Sequence, residues 1–220
     1  MTSADAPADR SVLRLSAAPG EKVRVRMGAA RVADLAPASV VALGLRDGEE
    51  ATPARASQIR RRALFEKSHA RALAALARRP LARAALRERL ARHEGDAGVV
   101  QDVLDALERD GLLNDRAVAD AVLGEQLARS GAGAAFLESK LTARGVDAST
   151  ARDAVRESVA SGTPSALETA RARVTSMPPD LSPPARARRL YAYLARRGFE
   201  EHEAADAVER ILGVLPGPLD

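Results

Sequence analysis

From Thr52 to Leu212, leucine, valine and alanine recur three and four positions apart with arginines and carboxylates between them, the spacing of helices that bury one face. Ahead of that region one stretch alternates instead. In KVRVRM, Lys22 to Met27, the apolar Val23, Val25 and Met27 stand against Arg24 and Arg26, which predicts a half-buried strand. APASVVALGLRDG then predicts a short helix stopped near Gly44, followed by a turn at Asp47 and Gly48. Residues 1–19 are small, polar and proline-containing, with too little apolar surface to offset the entropy of ordering, and are expected to form a disordered tail.

Cap chemistry marks the boundaries inside the helical region. Thr52 can accept from free N–H groups and Pro53 needs no donor, so a helix should begin there and run to about Arg79, where Pro80 ends it. A second helix carries Leu86 and Leu90 on one face. Asp96 caps a third, Val99 to Arg109, closed by Gly111. The sequence then restarts. Arg116 to Arg129 predicts a helix broken at SGAG; Leu137 and Leu141 lie on the next, which Gly145 stops; Asp147 caps the last, to about Ala160. A third round opens at Thr163 and Pro164, breaks at MPPDLSPP, resumes through Leu190 and Leu194, stops at Gly198 and finishes with Ala204 to Leu212.

These rounds superimpose without gaps over their second and third helices. Leu137 aligns with Leu190, Leu141 with Leu194, Gly145 with Gly198, Asp147 with Glu200 and Val155 with Val208; Leu86, Leu90, Asp96 and Leu104 fall in the same register, with Glu94 in place of the glycine. The starting leucines are 51 and then 53 residues apart, so the pattern predicts a mostly α, elongated tandem array of three three-helix repeats behind a small mixed N-terminal module. The corresponding division is a tail at 1–19, the module at 20–52, repeats at 53–111, 112–161 and 162–213, and a C-terminal tail at 214–220.

Composition narrows the chemistry. Hydrophobic residues are 46% of the 220 but aromatics only 2%, so the cores must be thin layers of helix on helix. There is no cysteine, hence no disulfide, thiolate metal site or cysteine nucleophile. The first residues lack the apolar run of a signal peptide and no later stretch is long enough to span a bilayer, so a cytoplasmic protein with no membrane association is expected. Charge falls in blocks: twelve basic against three acidic residues from Arg55 to Glu94, seven against thirteen from Asp96 to Ala170, seven against one from Arg171 to Phe199, and one against six thereafter.

No catalytic constellation emerges. His69, His93 and His202 have no second histidine at ligand spacing, so no metal site and no cofactor are expected. SGAGAAF lacks the preceding strand and the lysine ending of a phosphate loop and is taken as a helix break. Carboxylates on the third helices, among them Asp102, Asp105, Glu108, Asp153, Glu157, Glu203, Asp206 and Glu209, are taken as solvated faces. Arginine remains. Arg60, Arg61 and Arg62, then Arg78, Arg79, Arg83 and Arg87, and in the last repeat Arg186, Arg188, Arg189, Arg196 and Arg197 form clusters suited to phosphates or an acidic protein groove. Base stacking is not expected, because Tyr191 and Tyr193 fall on different helix faces and one of them belongs to the core.

Three stretches taken in order, ALAALARRPLARAALRERLARHEG, VVQDVLDALERDGLLNDRAVADAV and GAGAAFLESKLTARGVD, resemble the RecX regulators of the RecA recombinase, and VRVRM with LGLRDGE is similar to the N-terminal extension many members carry. The likeness runs from about Lys22 to Leu212. It implies a non-enzymatic, monomeric modulator that lodges along the groove of the RecA–DNA filament and suppresses ATP hydrolysis, strand exchange or filament growth, with direct but weak contact to DNA. The residues alone leave a second class open: a helical, sequence-specific DNA-binding transcriptional regulator.

Overall fold

The computed structural model describes residues 12–214, all but the side chain of Arg129. Three strands and ten helices make up the described chain, so it is mostly α with a small antiparallel sheet at its start. The chain divides into two compact units. One comprises the chain up to Arg79 together with Arg87–Asp110, the other Pro80–Leu86 with the chain from Gly111 onward.

In the first unit, β1 (Leu13–Ala18), β2 (Lys22–Met27) and β3 (Ala30–Leu35) form a meander with β2 in the centre. Alternation placed β2 correctly. The expected disordered tail is corrected from Leu13 onward, because Leu13, Leu15 and Ala17 alternate with Arg14 and Ser16 and pair along the whole length of β2. Residues 1–11 of that expected tail, and 215–220 of the C-terminal one, lie outside the described residues. The inner sheet face, Leu13, Val25, Ala33 and Leu35, packs on Ile59 of α2 (Pro53–Leu76) and on Leu45, which follows α1 (Pro37–Ala42). Thr52 caps α2 by accepting from the Arg55 N–H at 3.1 Å. That helix ends at Leu76, three residues before the expected Arg79. It packs against α4 (Ala97–Arg109), which Asp96 caps through the Val99 N–H.

α3 (Arg83–Ala91) is divided: Arg83–Leu86 belong to the second unit and the remainder to the first. The second unit otherwise holds two helix trios. In one, α5 (Asp115–Arg129), α6 (Ala134–Thr142) and α7 (Ala148–Ala160) enclose Val118, Val122, Leu137, Leu141 and Val155. In the other, α8 (Ala166–Val174), α9 (Pro183–Arg196) and α10 (Glu201–Leu212) enclose Ala170, Leu190, Leu194, Phe199 and Val208. First helix packs on third in each. Two boundaries differ from expectation. α8 is capped by Ser165, which accepts from the Glu168 N–H while the Glu168 carboxylate accepts from the Ser165 N–H; the reciprocal pair outcompetes the Thr163–Pro164 start. The last two prolines of MPPDLSPP begin α9 instead of breaking the chain, because the first helical turn needs no donor.

Candidate functional site

Consecutive arginines on a helix point about 100° apart, so the Arg60–Arg62 triplet cannot act as one patch. Arg61 reaches across to α4 and pairs with Asp102 at 2.6 Å and Asp96 at 3.7 Å, which raises its pKa, first through the hydrogen bond to Asp102. A Cβ on Gly98 would stand 3.1 Å from that guanidinium, so the glycine leaves room for it. Arg62 donates to the buried Ser39 hydroxyl at 2.7 Å and lies 4.9 Å over the Phe65 ring. Only Arg60 is left outward, in a concavity with Lys22, Arg31 and Lys67. Sequence reasoning missed those three: they are dispersed over β2, β3 and α2, and only the sheet brings them together. Arg78 and Arg79, just past the end of α2, are exposed with no side-chain partner among the described residues. Arg83 is half-buried and donates its backbone N–H to the Asp115 carboxylate at 2.7 Å; Arg87 reaches Gln101 of α4 at 3.3 Å.

The arginines of the last repeat answer a different question: how one repeat docks on the next. Gly198 follows α9 with φ +74°, and a Cβ there would come 2.5 Å from the Phe136 Cβ; a Cβ on Gly133 would stand 2.0 Å from the Gly198 carbonyl oxygen. The Gly133 N–H donates to the Arg197 carbonyl at 2.9 Å. One repeat earlier the same contact recurs, with Gly145 at φ +86° and its absent Cβ 2.9 Å from the Ala85 nitrogen. Ala85 and Phe136 occupy the same repeat position, one before the starting leucine, and there the third repeat carries Arg189. Four before that leucine stand Ala82, Gly133 and Arg186. A bulky cation at both positions leaves no close seat for another glycine. Arg186 is half-buried, while Arg188, Arg189 and Arg196 are exposed with no side-chain partner among the described residues. Arg197 lies over Phe136 at 5.5 Å and Tyr193 at 6.0 Å, and Arg173 over Tyr193 at 5.1 Å. Both tyrosines pack against this core. Neither is a free stacking platform.

Glu94, which replaces the stop glycine in the first repeat, now has its reason. The glycine serves docking on a preceding repeat, and the first repeat has none. Glu94 turns inward and pairs with Arg71 of α2.

The carboxylates read as solvated faces need a partial correction. Asp102 pairs with Arg61, and Glu157 with Arg116 of α5 at 2.6 Å, so each ties a third helix to a first helix. Arg116 is bonded by Glu157 and Asp120 and its pKa is raised accordingly, while that of Glu157 is lowered, first by the same hydrogen bond. Asp147 accepts from Ser149 and Thr150 at the start of α7, and these hydrogen bonds hold its carboxyl well below the usual carboxylate range. A depressed folded pKa means that the stabilisation is complete above the unfolded value near pH 3.9 and is lost as pH falls through the lower folded one. Asp147→Ala should therefore cost about 1 kcal/mol in urea unfolding at pH 7. The gap between variant and parent should narrow steadily below about pH 4.

Among the described residues, no group of three or more histidine, aspartate and glutamate side chains could hold a metal ion, and no helix is long and apolar enough to cross a membrane. No protein-family model matches the chain. It is 34% identical over 140 residues to the regulatory protein RecX of Thermobifida fusca (strain YX), an alignment covering 62% of this chain and 74% of the relative. To the regulatory protein RecX of Corynebacterium efficiens it is 32% identical over 147 residues, covering 64% and 70%. The fold is similar to a crystal structure of a regulatory protein RecX, with TM-score 0.60 at 16% identity over 92% of each chain. It is also similar to RecX from Lactobacillus salivarius, with TM-score 0.53 at 16% identity over 69% of this chain and 98% of that one.

Proposed function

This chain belongs to the RecX family of regulatory proteins, and from that premise we propose that it regulates the RecA recombinase, binding along the RecA–DNA filament without catalysing a reaction and lowering ATP hydrolysis, strand exchange and filament growth. The observation that carries the mechanism is the recurring glycine seat within the second unit, where Gly145 against Ala85 and Gly198 against Phe136 meet at the same repeat positions. Surfaces repeated by a rule suit a partner that repeats. A filament presents the same protomer face at intervals, and linked weak contacts gain roughly 10²- to 10⁴-fold through effective concentration. The first and third repeats, in this reading, supply the linked contacts, and the protein acts as a cytoplasmic monomer. The arginines that meet the partner are those left free by the fold, Arg78, Arg79, Arg188, Arg189 and Arg196, whereas Arg61, Arg62 and Arg197 hold the helices together.

Titrating the protein into RecA hydrolysing ATP on single-stranded DNA should lower the rate at near-stoichiometric ratios. The variant R78Q/R79Q/R188Q/R189Q should need about tenfold more protein for the same inhibition, each rim charge contributing up to about 1 kcal/mol. Unaltered hydrolysis with the parent protein, together with selection of one operator from competitor DNA, would establish the transcriptional regulator instead.

A further inference from the structure

The register of the sheet sets three arginines side by side. Arg14 of β1 stands directly opposite Arg26 of β2, and Arg26 directly opposite Arg31 of β3. Directly opposed residues share a face. Arg31 reaches that face only because of the irregularity between Val25 and Arg26: β3 there carries an extra residue, Val32, which packs inward beside Ala33 and turns Arg31 outward. With strands about 4.8 Å apart, three like charges fall within about 10 Å.

Like charges directly opposite each other destabilise a sheet, and the acids nearby offset only part of this row. Arg14 pairs with Asp47 at 3.3 Å. Asp34 takes Arg24 at 3.0 Å and Arg31 at 2.8 Å, so one carboxylate serves two guanidiniums. Arg26 has no carboxylate and donates to the Ala29 carbonyl. Protection of a sheet edge does not account for it, because β2 is the central strand. Beyond Arg31 the row continues over β3 into the concavity against α2, where Arg60, Lys67 and Lys22 have no side-chain partner among the described residues and the one lining carboxylate, Asp34, is already engaged by Arg24 and Arg31. Glu66, the acid nearest in sequence, is turned away to accept the Ala36 N–H.

We infer that the outer sheet face and this adjoining concavity bind the phosphodiester backbone of a nucleic acid, independently of its sequence, through Arg14, Arg26, Arg31, Arg60 and Lys67. Arginine forks match phosphate oxygens in pairs. Charge density separates this ligand from an acidic peptide: an extended peptide offers one face a carboxylate about every 6.8 Å, a duplex a charge about every 1.7 Å of axis. The outer face carries arginines, Ser16 and the Asp34 that Arg24 and Arg31 share, and neither it nor the adjoining concavity holds an aromatic ring to stack on bases. It therefore holds backbone and reads no sequence.

The test uses the full chain without recombinase, so its failure is distinct from failure of the proposed RecA regulation. Two fluorescein-labelled 30-base-pair duplexes of unrelated sequence, titrated between 50 and 200 mM salt, should bind alike, with log affinity falling against log salt at a slope of about −4. R26Q/R60Q/K67Q should lose at least tenfold in affinity at 100 mM salt and flatten the slope by about 3; R26Q alone should flatten it by about 1 and decides the matter should the triple variant fail to fold. R144Q/R152Q/R171Q removes the same charge from exposed positions of the second unit that have no part in the proposed contacts, and should leave the slope unchanged. Equal losses from both triple variants, no loss from the first, or displacement of the duplex by polyglutamate at equal charge would each overturn the inference.

Discussion

Gly133→Val is expected to cost about 3 kcal/mol and to lower the thermal midpoint of the second unit by roughly 10–20 °C. The space it would enter belongs to the Gly198 carbonyl oxygen, 2.0 Å from the Cβ position, with the Phe199 nitrogen at 2.6 Å. Both are backbone atoms, so no rotamer can relieve the clash, and the Gly133 to Arg197 hydrogen bond must break as the segments part. Gly198→Val should cost at least as much, since it meets Phe136 and also forces a β-branched residue to φ +74°. Gly124→Ala is the control: it lies within α5, a Cβ there meets nothing within 4 Å, and it should be neutral or stabilise by up to about 1 kcal/mol. Differential scanning calorimetry of the three variants checks the order, and a Gly133→Val midpoint equal to that of the parent would show that the repeats do not dock through this seat.

Leu194→Ala should lower stability by about 3 kcal/mol, the sum of lost apolar burial and the cavity left behind. Leu194 is fully buried among Ala170, Leu190 and Val208, while Leu141, its counterpart in the preceding repeat, is fully buried in a separate cluster. The two clusters are joined through the glycine seat, so the loss should travel. Amide exchange in α6 and α7 should accelerate along with that in α9 and α10, because neighbouring repeats stabilise one another through their interface. Faster exchange confined to α8–α10 would mean that each trio stands alone.

The legibility of this chain varied with the range of the physics. Cap and stop signals act within four residues, and Thr52, Asp96, Asp147 and Gly198 were all placed from sequence. Strand β2 was legible because its alternation is strict, whereas β1 hid in a segment rich in serine, alanine and proline until β2 supplied its partner. The candidate site was the least legible part. Arginine clusters in the sequence suggested patches, but adjacent arginines on a helix diverge, and partners from distant segments claimed Arg61, Arg62 and Arg197.

By itself the sequence determined the helix starts and stops, the threefold recurrence and the apolar stripes, because each depends on local backbone energetics and on a period that a linear string records. Only the tertiary structure decided which arginines remain free, why Glu94 stands where the other repeats have glycine, and that Arg14, Arg26 and Arg31 share one row. Those outcomes depend on which segments meet in space, and a close approach of two backbones or a one-residue bulge shifts charges between faces without altering the pattern along the chain.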